Sequence, residues 1–533
     1  MPKNYLIGIG GTGARVIESF VYLSAAGYGP DNEVTIFFID PDKANGNLER
    51  TTAVVDNYIK CRSNFASAGS VTPLFKTKIS RPAECVWNIF DKADESLSTH
   101  INYRLLKSSN QNFAELISLL YSGGHASSDD EHKGELGTKL NEGFRGHPSI
   151  GAVVMTDAHE QRHKDPWKTL FMDIENATGE NDIRVFLVGS IFGGTGAAGV
   201  PTIGSRGLIK ENEQVRAKLS NGRSKVFLGG ALVLPYFVFD TTGSSRETGL
   251  FVTSADFAVA TKAALHYYSE KALEGYKDKD GGLGFDQVFF IGDESQQNVG
   301  SFSAGTATQK NNPHFIEMAT SLAAKDFFEQ LLSAESSGKY FIASRKDGPF
   351  SWESFPMLKP DTNTPVNQQQ VLKAHMLRMT IFAYSICTYG KVKLDSWYKT
   401  FFDEKKKETR IYNLQDQANK LKVEGYTGFL NDFLKWICAI CSDTQTVKLI
   451  DSTKLLNGEE LYPASPTSQN IADLLPDWKP DKKDEVKFSI FIQGLNETKP
   501  KDAPSTTIDA ADRLLVLFYN ETNQFVSKYY KIN

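Results

Sequence analysis

From Tyr5 to Gly292 the chain alternates short, nearly continuous apolar runs with longer stretches whose apolar positions recur every three to four residues. The runs Tyr5–Gly8, Val34–Asp40, Ile183–Ile191, Lys225–Leu234 and Gln287–Gly292 are bounded by glycine or polar residues. Such runs predict strands covered on both faces, as in a parallel sheet. Alternation with helical patterns makes this a doubly wound, mostly parallel α/β fold. Between Pro313 and Leu332 the residues Phe315, Ile316, Ala319, Leu322, Ala323, Phe327, Leu331 and Leu332 repeat at helical spacing. A helix apolar over so much of its surface is expected to lie buried between two bodies. A proline-dotted stretch (347–365) follows, then a helical pattern over 366–389 and further helices to about residue 442. Segments 462–483 and 497–507 are rich in Pro, Lys, Asp and Ser and read as exposed loops. The expected organisation is a nucleotide-binding domain over 1–312, a core connecting helix over 313–335 and an α+β C-terminal domain over 336–533.

Composition narrows the function classes. The chain has 533 residues, enough for two or three domains, with 40% hydrophobic and 23% charged residues and a net charge of -5. No single-sign block suggests contact with nucleic acid. No stretch approaches the ~20 apolar residues of a membrane span, and the N-terminus reads as a buried strand rather than a secretory signal. Five cysteines in this length make no disulfide framework, which fits the cytoplasm. Cys438 and Cys441 form a C-x-x-C pair inside a helical pattern with no second pair to complete a zinc site, and they read as core thiols.

Two glycine boxes carry the chemistry. The first, Gly8-Ile-Gly10-Gly11-Thr12-Gly13, follows a strand and opens a helix expected over Val16–Ala25. Glycines there let backbone N–H groups approach an anion, and the helix N-terminus adds partial positive charge. Alone, this box also satisfies G-x-G-x-x-G, with Asp40 closing the next strand where a dinucleotide fold places its ribose-binding acid. The second box, Phe192-Gly193-Gly194-Thr195-Gly196-Ala-Ala-Gly199, follows strand Ile183–Ile191 and leads into a helix expected to hold Pro201 in its first turn. Gly-Gly-Thr-Gly thus occurs twice at strand-to-helix turns. Chance supplies one occurrence only on the order of 0.02 times, so a nucleotide gripped from two sides is the better reading.

On these residues the chain resembles the tubulin/FtsZ superfamily, and within it the bacterial tubulin-like group. The resemblance spans roughly residues 4–335. It implies GTP or GDP as ligand, with Mg2+ as an optional companion, and self-association head to tail, which forms filaments unless it closes into a ring. It gives Gly193, Gly194, Thr195 and Gly196 the role of the phosphate-wrapping signature, and Gly10, Gly11, Thr12 and Gly13 that of the N-terminal phosphate loop. Gly146 and His147, in Gly146-His-Pro-Ser-Ile-Gly151, match the loop that reaches the terminal phosphate. Asp40 and Asp42 fall near the ribose and base, Asp240 at the sugar loop, and Asn312 at the guanine-reading position. The family's catalytic Asn-x-Asp is absent from this chain. Asp347 and Glu353 are the nearest acids that could complete a neighbour's site, which makes hydrolysis dependent on self-association. The alternatives are a GTP-binding switch or scaffold that does not polymerise, and an NAD-linked oxidoreductase resting on the first box and Asp40. The cellular process and any partner protein are not specified by these residues.

One further motif lies between the two boxes. His159-Glu-Gln-Arg-His163 satisfies H-E-x-x-H, the zinc helix of metalloproteases. Its flanks are polar, Pro166 curtails the helix, and Thr169 stands where a third histidine would be. It reads as a solvated helix face.

Overall fold

A computed structural model describes residues 2–67, 73–87, 96–97, 121, 140–144, 147–155, 163–177, 181–204, 214–215, 217–218, 226–240, 254–267, 285–293, 297–301, 307–330, 332, 339–343, 368–393, 395–402, 413–442, 449–457, 460–461, 486–499 and 509–530. Its first elements are β1 (Lys3–Ile9), α1 (Gly10–Ala25), β2 (Val34–Ile39), α2 (Gly46–Ser67), β3 (Ile79–Ser80) and β4 (Val86–Trp87). Then come α3 (Pro148–Met155), α4 (Trp167–Asn176), β5 (Ile183–Ser190), α5 (Gly194–Gly204), β6 (Val226–Val233), β7 (Phe237–Asp240), α6 (Ser254–Tyr267), β8 (Gln287–Ile291) and β9 (Gln297–Ser301). The chain continues with α7 (Phe315–Glu329), β10 (Lys339–Ala343), α8 (Gln368–Val392), α9 (Ser396–Phe401), α10 (Gln417–Ile440), β11 (Leu456–Asn457), β12 (Glu460–Leu461), α11 (Phe488–Glu497) and α12 (Ala510–Tyr530).

All five strands expected from the apolar runs form, and they share one eight-stranded sheet in the order β10-β8-β6-β5-β1-β2-β3, with β4 also paired to β2. Every pairing in it is parallel. The chain builds outward from β1 through β2 to β3 and β4, then returns to the other side of β1 and builds outward again through β5, β6, β8 and β10. The order reverses between β1 and β5, the place where open α/β sheets leave a crevice at the carboxyl ends of their strands.

Helices cover both faces, so the strands are buried along nearly their whole length. Phe186 meets Phe327 and Phe328 of α7, and Phe20 of α1 meets Phe328. The next residue along, Leu187, points to the opposite face, where it lies beside α5. Phe37, in register with Ile7 and thus with Leu187, packs there on Trp167 of α4.

α7 is the predicted apolar helix, and all its residues but Lys325 and Glu329 are buried. Its role differs from that of a connector to a second body. β10 pairs in parallel with β8, so α7 is the crossover between two strands of one sheet. A parallel neighbour requires such a crossover, and the sheet therefore extends into the segment expected to open the C-terminal domain.

Beyond β10 the described residues are helical except for the two-residue ladder β11–β12, so the strands expected of an α+β region are nearly absent among them. These helices lie on the α1/α2 side. Phe429, Phe433 and Trp436 of α10 pack around Tyr22 of α1, and Phe429 also touches Tyr58 and Phe75. Cys438 and Cys441, at the C-terminal end of α10, are buried free thiols. No helix among the described residues is long and apolar enough to cross a membrane.

Candidate functional site

The glycine boxes are themselves the first turns of their helices. α1 begins at Gly10 rather than beyond the box, and α5 begins at Gly194. Pro201 is consequently the eighth residue of α5 and not in its first turn, because the helix opens inside the box. Gly10 adopts φ +72, the left-handed region that glycine enters without steric cost. That single residue turns the chain sharply from β1 into α1.

β1 and β5 are adjacent and parallel, with Gly8 opposite Val188, so both helices start at the same edge of the sheet. The boxes touch there. A Cβ placed on Gly10 would lie 3.3 Å from Cβ of Thr195 and 3.7 Å from the Gly196 nitrogen. Gly13 and Gly196 make the close approach possible: their Cβ positions fall 2.6 Å from the Val188 carbonyl oxygen and 2.5 Å from that of Ser190. Gly10, Thr12, Gly13, Gly194 and Gly196 are buried, whereas Gly11, Gly193 and Thr195 remain half-exposed. Neither first turn contains an acidic side chain, and Ile9 places no side-chain cap on α1. The first N–H groups of a helix have no intrahelical acceptor, so two sets of donors face one crevice.

The polar turn after β2 forms the neighbouring wall. Asp40 accepts from the Asp42 N–H at 3.0 Å, Asp42 from Ala44 at 3.0 Å, and Asn45 from Asn47 at 3.0 Å, a run of side-chain-stabilised turns that starts α2. Asp40 is buried, and that burial pushes its carboxyl up to about 8, with the Asp42 charge adding to the rise and the Asp42 N–H opposing it. The amides of Asn47 and Asn45 stand 3.4 and 3.5 Å from the Cβ position of Gly11. Segment 307–311 lies across this turn. Asn47 and Asn311 exchange hydrogen bonds at 3.0 and 3.2 Å, and Asn45 donates to Gln309 at 2.5 Å.

Behind the boxes lies a buried ionic cluster. Arg15 donates to Glu317 Oε1 at 2.5 Å, to the Tyr236 hydroxyl at 2.6 Å and to Asn311 Oδ1 at 3.1 Å. Glu317 also accepts from the Tyr236 hydroxyl and, through Oε2, from the His314 N–H at 3.0 Å. The imidazole of His314 caps α7 by accepting from the Ile316 N–H, and burial lowers it to about 3, which keeps it neutral.

Of the residues expected from sequence, the structure brings together Gly10–Gly13, Gly193–Gly196, Asp40 and Asp42 along one edge of the sheet. His147 precedes α3, which packs on α5 at Gly151 against Ala198. Asn312 is exposed and lines a cavity whose walls include none of the box residues, while its neighbour Asn311 faces the cluster. Asp240 ends β7, which pairs with β9 away from the main sheet; its side chain lies outside the described residues. Gly146, Asp347, Glu353 and positions 159–162 also lie outside them, and His163 is exposed. Among the described residues no three His, Cys, Asp or Glu side chains come together as a metal site. Sequence reasoning missed Arg15, Asn45, Asn47, Tyr236 and Glu317, and in the segment Asn311-Asn312-Pro313 it chose Asn312 over Asn311. The signal for two of them was charge inside otherwise apolar helical patterns. A scan of protein-family models, a search of curated proteins and a search of solved structures returned no match to this chain.

Proposed function

We propose that this chain is a guanine-nucleotide-binding protein of the tubulin/FtsZ type. The observation that carries the reading is the meeting of two Gly-Gly-Thr-Gly turns, Gly10 against Thr195, at the carboxyl ends of adjacent strands where the sheet order reverses. A single phosphate loop would serve a dinucleotide; two facing loops suit the polyphosphate of a mononucleotide held from both sides. The residues present fit such a group: the cradle is lined by glycines, its donors are helix N-termini, and no first-turn carboxylate repels an anion.

In this reading the backbone N–H groups of Gly11–Gly13 and Gly194–Gly196 hold the phosphates, and the Thr195 hydroxyl supplies a further donor. Asn45 and Asn47 flank Gly11 and can donate to ligand oxygen. Bound GTP would present a terminal phosphate to water and, in a head-to-tail assembly, to a neighbouring subunit. Asp347 or Glu353 of that neighbour would then orient the attacking water. Support for self-assembly comes from the sequence resemblance alone, and a non-polymerising GTP switch uses the same pocket.

Asp40 at the end of β2 favours the second reading, a dinucleotide whose ribose meets that acid. Nucleotide extracted from the purified protein, together with calorimetric titration of GTP, GDP and NAD, separates the two. Guanine nucleotide in the extract and GTP binding are expected; NAD in their place would overturn the proposal.

A further inference from the structure

Gly11 carries no side chain, and the spot that a Cβ would take there is bounded by two carboxamides. Asn47 Nδ2 lies 3.4 Å from that spot, Asn45 Nδ2 3.5 Å and Asn45 Oδ1 3.7 Å, the nearest atoms outside the glycine's own stretch of helix. Both asparagines are buried, while Gly11 is half-exposed.

Each amide is held so that its nitrogen, and not its oxygen, keeps bonding capacity. Asn45 caps α2: its Oδ1 accepts from the N–H groups of Asn47 at 3.0 Å and Leu48 at 3.4 Å, which fills the oxygen. Its Nδ2 donates one hydrogen to Gln309 Oε1 at 2.5 Å. Asn47 is fixed by Asn311 in both senses, its Oδ1 accepting the Asn311 N–H at 3.0 Å and its Nδ2 donating to Asn311 Oδ1 at 3.2 Å. An amide nitrogen has two hydrogens, so each asparagine keeps one that no acceptor among the described residues takes. A buried N–H left in that state is costly, and a ligand acceptor removes the cost.

The chemistry of the acceptor follows from what surrounds it. Asp40 and Asp42, the acids of the same turn, are engaged by the N–H groups of Asp42 and Ala44, and burial pushes Asp40 up to about 8, so it is mostly protonated at neutral pH. A cation would find the Asn45 oxygen already filled. An anionic oxygen can take both amide hydrogens, and hydrogen bonds to a charged acceptor are about twice as strong as neutral ones.

We propose that Asn45 and Asn47 form a two-amide clamp for one phosphate oxygen, seated in the place of the missing Gly11 side chain. The clamp rests on the reading of the glycine boxes as a phosphate cradle, though not on guanine, because it grips the phosphate and not the base. It also gives asparagine a reason at position 45. Asp and Ser cap a helix equally well, but only asparagine caps with an oxygen while offering an amide nitrogen.

That equivalence supplies the test. Asn45→Ser and Asn45→Asp keep the cap and should melt like the parent. The full chain and both variants are titrated calorimetrically with GTP and with inorganic tripolyphosphate. The parent should bind both ligands. Asn45→Ser should weaken each about tenfold, and Asn45→Asp about a hundredfold, since it sets a charge against the phosphate. Equal affinities in the three proteins, or binding of GTP without tripolyphosphate, would overturn the clamp and leave the nucleotide reading standing. Tripolyphosphate bound without GTP, and weakened by both substitutions, would do the reverse. Binding of neither ligand would overturn both.

Discussion

Arg15 and Glu317 form a buried ion pair, Nε to Oε1 at 2.5 Å, that ties the first turns of α1 to the first turn of α7. The charges are both out of water, with side-chain exposures of 4% and 0%. Glu317 accepts three hydrogen bonds, from Arg15, Tyr236 and His314, so the desolvated carboxylate is fully engaged. Through this pair the helix that carries the first glycine box is joined to the helix that spans the sheet.

Breaking the pair on one side should cost far more than removing it. Glu317→Gln leaves Arg15 buried without its counter-charge, and a loss of about 3–5 kcal/mol is expected. Arg15→Met with Glu317→Met should recover most of that loss, because two apolar chains need no solvation. Tyr236→Phe deletes one hydroxyl and should cost about 1–2 kcal/mol. Urea unfolding of the three variants against the parent checks the order; a double variant less stable than Glu317→Gln would contradict it.

The glycines of the boxes should separate into two groups. A Cβ at Gly13 meets the Val188 carbonyl oxygen at 2.6 Å and one at Gly196 meets the Ser190 backbone at 2.5 Å, contacts that the sheet has no room to relax. Gly13→Ala and Gly196→Ala should therefore lower the melting temperature sharply or prevent folding. At Gly11 the nearest atoms are side-chain amides at 3.4 and 3.5 Å, which can give way. Gly11→Ala should fold normally yet reduce GTP affinity by about tenfold or more, since the methyl projects where the phosphates are proposed to lie. Thr195→Val should act in the same direction. Paired melting curves and GTP titrations distinguish the groups, and normal GTP affinity in Gly11→Ala would remove the phosphate-loop assignment.

The sheet was legible because its strands are buried on both faces and so read as unbroken apolar runs. β10 was not, since Lys339–Ala343 is short and follows the helix that sequence assigns to a boundary. The boxes were legible through repeated glycine, which marks backbone geometry directly. The Arg15–Glu317 pair was hidden because its partners stand 302 positions apart, so a lone charge inside an apolar helical pattern did not point to its counter-charge. Asn311 and Asn312 carry the same side chain, and only the direction of the backbone decides that Asn311 meets Arg15 and Asn47 while Asn312 turns outward.

If Asp347 or Glu353 completes the site of a neighbouring subunit, hydrolysis requires self-association, because one chain holds only part of the machinery. GTP turnover per subunit should then rise with protein concentration. Replacing both acids by alanine should leave GTP affinity intact, abolish turnover and lengthen the life of any filament seen by electron microscopy. Concentration-independent turnover that survives the double substitution would favour the non-polymerising switch.

Two buried carboxyls give stability a definite pH dependence. Burial raises Asp40 and Glu521 to about 8, with neighbouring acids Asp42 and Glu497 pushing the same way. An unfolded Asp or Glu loses its proton near ~4, so from there to about pH 8 the folded state binds protons that the unfolded state has released. Stability from these two groups is therefore greatest below pH 4 and declines as pH rises towards 8, the reverse of the usual salt-bridged carboxylate. Asp40→Asn keeps an oxygen to accept the Asp42 N–H, and Glu521→Gln keeps the shape of its side chain. The double variant should melt at a higher temperature than the parent at pH 8 and show a much smaller difference at pH 5, with a gap at pH 8 on the order of 5–10 kcal/mol. Thermal melts across that range provide the measurement. Equal gaps at pH 5 and pH 8 would mean that the carboxyls are not protonated in the folded chain.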